Sequence, residues 1–392
     1  MIFALTLVPI ILIAGSAIDY TRGLAIADIL QSAVDAGALA GVVQSAGTRD
    51  ALATSFFNAN ASLNAAATLV SVVPKTNADG SYTLTATATV PTSFMQVAGI
   101  SSITVSRTAT AVAPSVPMCV LALNSSAQKA LAFSGSAPLV GPSCKVQVNS
   151  SNSDAVDLSG SASIRSKDNC FVGSAKTSGG ASITPAPDAS CPVQSDPFAA
   201  YTKPFVGGCT YNGFSSSAST LTINPGVYCN GMNFSNTQVT MNPGVYIING
   251  GKVQTSGSAA LNGTGVAFYL ANSATVQMSG SSRSTLTAPT SGTLAGFIWF
   301  GDGSGNNLQS QLSGSSGSYF DGIVYLPKQQ IQLSGSSANA TQAPYTAYIA
   351  DTIQLSGSAT ISIGSNTSTF AASVPASIAA LGAQVTEVHL TK

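Results

Sequence analysis

Ser-Gly-Ser tripeptides start at Ser134, Ser159, Ser256, Ser279, Ser313, Ser334 and Ser356, at intervals of 25, 97, 23, 34, 21 and 22 residues; one more, at Ser316, abuts the fifth. The long interval is about four of the short ones. A period of roughly 20 to 25 residues constrains this chain more than any composition does, because each repeat can bury its apolar face only by stacking on its neighbours. Each turn of such a stack must bend at the same place, and glycine tolerates the positive φ of a tight corner without steric cost. Gly135, Gly160, Gly257, Gly280, Gly314, Gly335 and Gly357 are the expected corners, with serines small enough to stack turn on turn and hydroxyls able to satisfy corner backbone groups.

The rest of this region repeats with the corners. "CVLALNSSAQKALAFSGSA" from Cys119 and "CKVQVNSSNSDAVDLSGSA" from Cys144 align without a gap, and "LTINPGVYC" and "VTMNPGVYI" recur 18 residues apart. Gly265, Gly296 and Gly322 each open an apolar strand, "GVAFYL", "GFIWF" and "GIVYL", and "YTAYI" continues the series. In that register Phe268, Trp299, Tyr325 and Tyr348 share one position and form an interior aromatic column. The expected element is a parallel β-helix over 114–370, of roughly eleven turns and ~50 Å at ~4.8 Å per turn. Its ends need caps. The segment before it and a terminal 371–392 helix and strand are the expected ones.

Six cysteines, Cys119, Cys144, Cys170, Cys191, Cys209 and Cys229, fall at intervals of 25, 26, 21, 18 and 20, which match the repeat, and none sits in a Cys-x-x-Cys or Cys/His clip for zinc. Residues one turn apart on adjacent strands lie within disulfide reach. An even count at this spacing fits an oxidising compartment better than six reduced thiols. Spacing favours Cys119 with Cys144, Cys170 with Cys191 and Cys209 with Cys229, out of about fifteen possible arrangements.

Ahead of the repeats, "MIFALTLVPIILIAGSAI" offers 18 residues without a charge before Asp19. That length is near the lower limit for a bilayer span, so 1–18 reads as a transmembrane anchor, with a cleaved signal peptide at Ala14-Gly15-Ser16 as the competing interpretation. The helical pattern continues through Leu24, Ile26, Ile29, Leu30, Ala33, Val34 and Leu39. From Val70 to Val112 the period becomes two, with Thr83, Thr85, Thr87 and Thr89 alternating against Leu84, Ala86, Ala88 and Val90. Residues 19–113 thus read as a helix with a small β meander, the layout of a pilin-like module and equally of an ordinary small α+β linker domain, and Pro114 and Pro117 mark its boundary with the solenoid.

The apolar span runs into Asp19 and Tyr20, the basic Arg22 follows, and the helix closes on "LQSAVDAGALAG", which holds Gln31 and Asp35. In this combination the N-terminal stretch resembles the Tad (tight adherence, Flp) pilus-assembly proteins of the TadE/TadG-like group. The solenoid phrases look like the exported region behind such anchors, and also like the β-solenoids of ice-binding proteins. The resemblance implies a structural protein held in a bacterial inner membrane, its bulk periplasmic or extracellular, that supports pilus assembly or surface adherence beside other pilus-assembly proteins.

Composition narrows the alternatives. Charged residues make up 7% of the chain and the formal net charge is zero, so nothing attracts nucleic acid by bulk charge. Glu387 is the single glutamate and His389 the single histidine. Serines repeated without a histidine partner have nothing to activate them as nucleophiles. Parallel β-helices that act on polysaccharides need clustered carboxylates, and Asp302, Asp321 and Asp351 are the one plausible set; each also reads as a turn or strand-end residue. Carbohydrate binding through exposed aromatics, or ice binding through a threonine ladder on every turn, is poorly matched by these repeats. The expectation is a non-enzymatic protein with no cofactor, metal or small-molecule substrate.

Overall fold

The computed structural model describes residues 2–44, 48–63, 66–77, 81–112, 118–188, 191–279, 281, 284–313, 318–335, 338–343, 346–363 and 389–391. The protein is mainly β, with an apolar N-terminal helix and a parallel β-solenoid of about nine turns. It divides into two compact units, Met1–Ser115 with Gln384–Lys392, and Val116–Ala383.

In the first unit, helix α1 (Ile2–Val42) is followed by α2 (Arg49–Asn60) and by strands β1 (Thr68–Thr76), β2 (Tyr82–Pro91) and β3 (Ser102–Val112). The three strands form an antiparallel meander in the order β1-β2-β3. Strict alternation in β2 sends Tyr82, Leu84, Ala86, Ala88 and Val90 inward. Its threonines form an outer ladder across to β3, as in Thr83 with Thr110 at 2.9 Å and Thr85 with Thr108 at 3.0 Å. Against the inner face lies one side of α1, with Ile26, Leu30, Ala33, Val34 and Ala38 buried. Before that run Ile13 is 72% and Ile18 51% exposed. The last strand, His389–Thr391, pairs antiparallel with β3. It therefore completes this sheet instead of capping the solenoid; the short helix expected before it lies outside the described residues.

In the second unit each turn lays strands on three faces, as in Gly244–Asn249, Lys252–Ser256 and Ala260–Thr264. The turns do not stack in chain order. The chain enters at Met118–Ala122, which pairs with Thr346–Leu355 on one side and Pro138–Val148 on the other. It winds outward to Ser182–Thr184, crosses to the opposite end of the stack, and starts again at Tyr211–Ser216. From there it winds back until Thr360–Ile363 pairs with Pro138–Val148, beside the point of entry. Residues spent on the crossing form no turn, which is why the count falls below the eleven that length alone suggests. Met118–Ala122 and Thr360–Ile363, the first and last described strands of this unit, thus lie inside the stack and not at its ends.

The interior column is also one residue out of the expected register. Tyr211, Tyr228, Tyr246, Phe268 and Trp299 follow one another with ring centroids 4.7, 6.0, 5.7 and 4.1 Å apart. A β-bulge between Phe297 and Trp299 then sets Trp299 against Val324, and Val324 against Tyr348. Since side chains alternate, the shift turns Tyr325 to the outside of its strand.

Candidate functional site

Two arrangements stand out, one in each unit. In the first, Asp19 is 1% exposed although it is charged. Its carboxylate accepts hydrogen bonds from the backbone N–H groups of Met95 (2.8 Å), Phe94 (2.8 Å) and Ser93 (3.0 Å), at the start of the 3-10 helix Met95–Ala98. The Met95 N–H foremost, then those of Ser93 and Phe94 and the Arg22 charge, outweigh desolvation and hold the carboxyl below its ordinary range. Arg22 lies 3.8 Å from Asp19 and donates to the Ser93 hydroxyl. Asp19 thus ties the helix to the β2–β3 connection. Gln31 donates to Asp35 one turn along at 2.8 Å, and Tyr20 is 61% exposed. The glycines of the "AGALAG" phrase have a steric reason: a Cβ on Gly37 would meet Leu84 at 2.5 Å, and one on Gly41 would meet Tyr82 at 2.5 Å. Both let helix and sheet approach closely.

In the second unit the crossing segment, 191–209, is a strap laid along one face. At its start Gln194 and Asn149 exchange two hydrogen bonds, of 2.9 and 2.8 Å. Further along, Asp196 accepts from the Tyr325 hydroxyl at 2.9 Å, Tyr201 donates to the Thr293 carbonyl at 2.8 Å, and Lys203 donates to that of Asp302 at 2.7 Å. Phe198 packs edge-on against Phe297 (4.8 Å) and Tyr325 (5.3 Å). Burial first, then the Asp196 charge and hydrogen bond, raise the Tyr325 phenol. The strap explains the apolar strand runs: Phe268 and Trp299 face the interior, whereas Tyr269, Phe300 and Ile323 face a second core under the strap. Strands covered on both sides need not alternate.

Disulfides join Cys119 to Cys144, Cys170 to Cys191 and Cys209 to Cys229, with Cα atoms 5.7, 5.5 and 5.6 Å apart. These are the pairs that the spacing favours. The last two staple the strap, one at each end of the solenoid.

The opposite turn of each coil ends in the corners. Gly135, Gly160, Gly257, Gly335 and Gly357 all have φ between 62° and 80°; Gly280 and Gly314 lie outside the described residues. A Cβ at Gly160 would stand 2.6 Å from the Gly135 carbonyl oxygen, so the stack admits no side chain there. Asn236 (φ 57°) makes the corner in "SNT", which a search for Ser-Gly-Ser misses. Beside the corners an outward column runs in register through Asn233, Gln254, Gln277, Gln311, Gln332 and Gln354, then Ala132, Asp157 and Lys176. The phrase "IQLSGS" shows two of its members.

The three aspartates considered for catalysis are not brought together. Asp302 follows the strand Phe297–Gly301, Asp321 lies near the start of Tyr319–Leu333, and Asp351 lies in the middle of Thr346–Leu355. Asp302 accepts from the backbone N–H groups of Asn272 and Ser304, and Asp351 from the Asn124 amide. Asp196 instead shares a cleft with Asp351, a neighbour visible only once the strap is in place. Among the described residues no group of three or more His, Cys, Asp or Glu side chains converges as a metal site would. Comparison with protein-family models, with curated proteins and with solved structures returns no match for this chain.

Proposed function

We propose that the protein is an exported, membrane-anchored structural component of a Tad-type pilus assembly, or of the surface attachment that such a pilus serves. The observation that carries this reading is the two-part character of α1. Its later half is built into the meander through Ile26 to Val42, while its leading half is apolar in sequence and exposes Ile13 and Ile18. Apolar helix surface of this kind is costly in water and stable in lipid. Asp19 stands where the two halves meet, a charge that costs at least ~2.5 kcal/mol at a bilayer centre but is fully hydrogen-bonded outside it. The three disulfides favour an oxidising compartment on the far side of that membrane. The exposed helix surface at Ile18, Tyr20 and Leu24 is the expected contact for other pilus-assembly proteins.

Fractionation of cells making the native chain, with protease treatment of spheroplasts and a non-reducing gel, tests the reading. Retention in the inner membrane with an oxidised, protease-accessible solenoid supports it, as does capture of a pilus protein by a photo-crosslinker at Tyr20. Release of a soluble chain shortened by the apolar segment overturns it.

A further inference from the structure

The solenoid has a seam where its two windings meet, and three depressions open on the turns around it. The first, about 520 Å³, lies between the strap and the corner that bears Asn124, Lys328 and Asp351. The second, about 340 Å³, shares those three residues and continues to Gln330 and Thr352. A third, about 250 Å³, lies further along the same strands, at Gln332, Gln354 and Ala132. Ala132 is where the outward glutamine column loses its long side chain, between Gln354 and Asp157, so the hollow is a missing rung of that ladder.

We propose that this track binds a neutral polyhydroxylated chain, an oligosaccharide strand lying across the turns from the strap to the Ser-Gly-Ser corner. Carboxamides supply both a donor and an acceptor, as do hydroxyls, and the half-buried Asn124, Gln330, Gln332 and Gln354 face a ligand with that dual character. Charge selects against polyanions: Asp196 and Asp351 oppose the one ammonium of Lys328 in the first depression, and in the third Lys129 and Asp157 neutralise each other at 2.6 Å.

The polar groups are ordered before a ligand arrives. Asp351 holds the Asn124 amide at 3.1 and 3.2 Å, and Gln309 donates to the carboxamide oxygens of Gln330 and Gln332 at 3.1 and 2.7 Å. Lys129 sits at φ 57°, in the left-handed region that side chains seldom occupy, with its ammonium turned to Asp157. Groups fixed on rigid strands lose little freedom on binding, which favours affinity from few contacts. The inference uses the solenoid alone and does not depend on the membrane or pilus reading.

The test uses the purified full-length oxidised chain in detergent, run by affinity electrophoresis through gels containing neutral polysaccharides (a glucan, a galactomannan, a soluble chitin derivative) or a polyuronate. Retardation by at least one neutral polymer and none by the polyuronate is expected. Ser125→Trp, which places an indole in the first depression from an exposed turn, should weaken that retention by about tenfold while leaving the melting curve unchanged. Lys328→Ala, at another exposed position, should leave the fold intact and reduce retention less. Failure of every neutral polymer to retard the chain overturns the proposal, as does equal retention by the polyuronate or retention indifferent to Ser125→Trp. Self-association of the unliganded chain that Ser125→Trp abolishes would reassign the track to a second copy and overturn it too.

Discussion

The solenoid wears two different coats on faces that share the same backbone rhythm. On the strap side, strands such as Phe297–Gly301 are buried throughout, because the wound core lies beneath them and Phe198 and Tyr201 lie above. On the corner side, strands such as Lys252–Ser256 alternate buried Val253 and Thr255 with half-exposed Gln254 and Ser256. The comparison teaches that a solenoid strand's outer composition is set by what covers it. An apolar outer face is a demand for a cover, and this chain meets it with a segment of its own held by a disulfide at each end.

The strongest way to break the contrast is to release the strap. Replacing Cys170 with Cys191 and Cys209 with Cys229, in pairs, by alanine should cost about 3 kcal/mol per bond in guanidinium unfolding, from the loops of 21 and 20 residues that they close. Trypsin should then cut at Lys203 within the strap; an unchanged midpoint and a resistant Lys203 would show that packing alone holds it. Next in size, Phe198→Ala removes a ring that is 2% exposed and should cost about 3–5 kcal/mol, read in the same experiment.

A smaller effect isolates the polar tie. Tyr325→Phe leaves the Asp196 carboxylate without its hydroxyl donor and should cost about 1 kcal/mol at neutral pH. Burial and Asp196 raise the Tyr325 phenol above its ordinary 10.0, so its contribution is complete below that pH and is lost as pH rises toward the raised value. Stability of the native chain should therefore fall above about pH 10, and the Phe variant should fall less steeply; parallel slopes would remove Tyr325 from the account. Least of all, Gln332→Ala on the uncovered face should change stability by no more than about 0.5 kcal/mol, and a larger loss would mean that the amide ladder is structural.

Much of this architecture is legible from local pattern. Ser-Gly-Ser marks the corners because glycine takes the left-handed turn without a Cβ to strike the stacked neighbour, Asn236 standing in at one corner, and the alternation of Tyr82 to Val90 announces a sheet with one wet face. Tyr325 leaves the expected aromatic column through a one-residue bulge after Phe297, which has no mark in the spacing of Gly296 and Gly322. The strap was hidden for a different reason. "CPVQSDPFAAYTKPFVGGC" has no repeat signal, and its aromatics acquire partners only from strands nearly a hundred residues later, as Tyr201 does from Phe297. Asp196 joined Asp351 in a cleft by the same route, so the groove could not be read from any set of like-spaced residues.

By itself, then, the sequence determined that there would be an apolar N-terminal helix, a short meander and a wound stack, since period, glycine geometry and burial act through neighbours in the chain or one turn away. The order of the turns, the seam where Met118–Ala122 meets Thr346–Leu355, and the face that the strap covers were decided only in three dimensions. Any turn of a parallel solenoid offers the same backbone edge to the next. Which edge meets which is settled by where the intervening segment finds a face to bury its own rings.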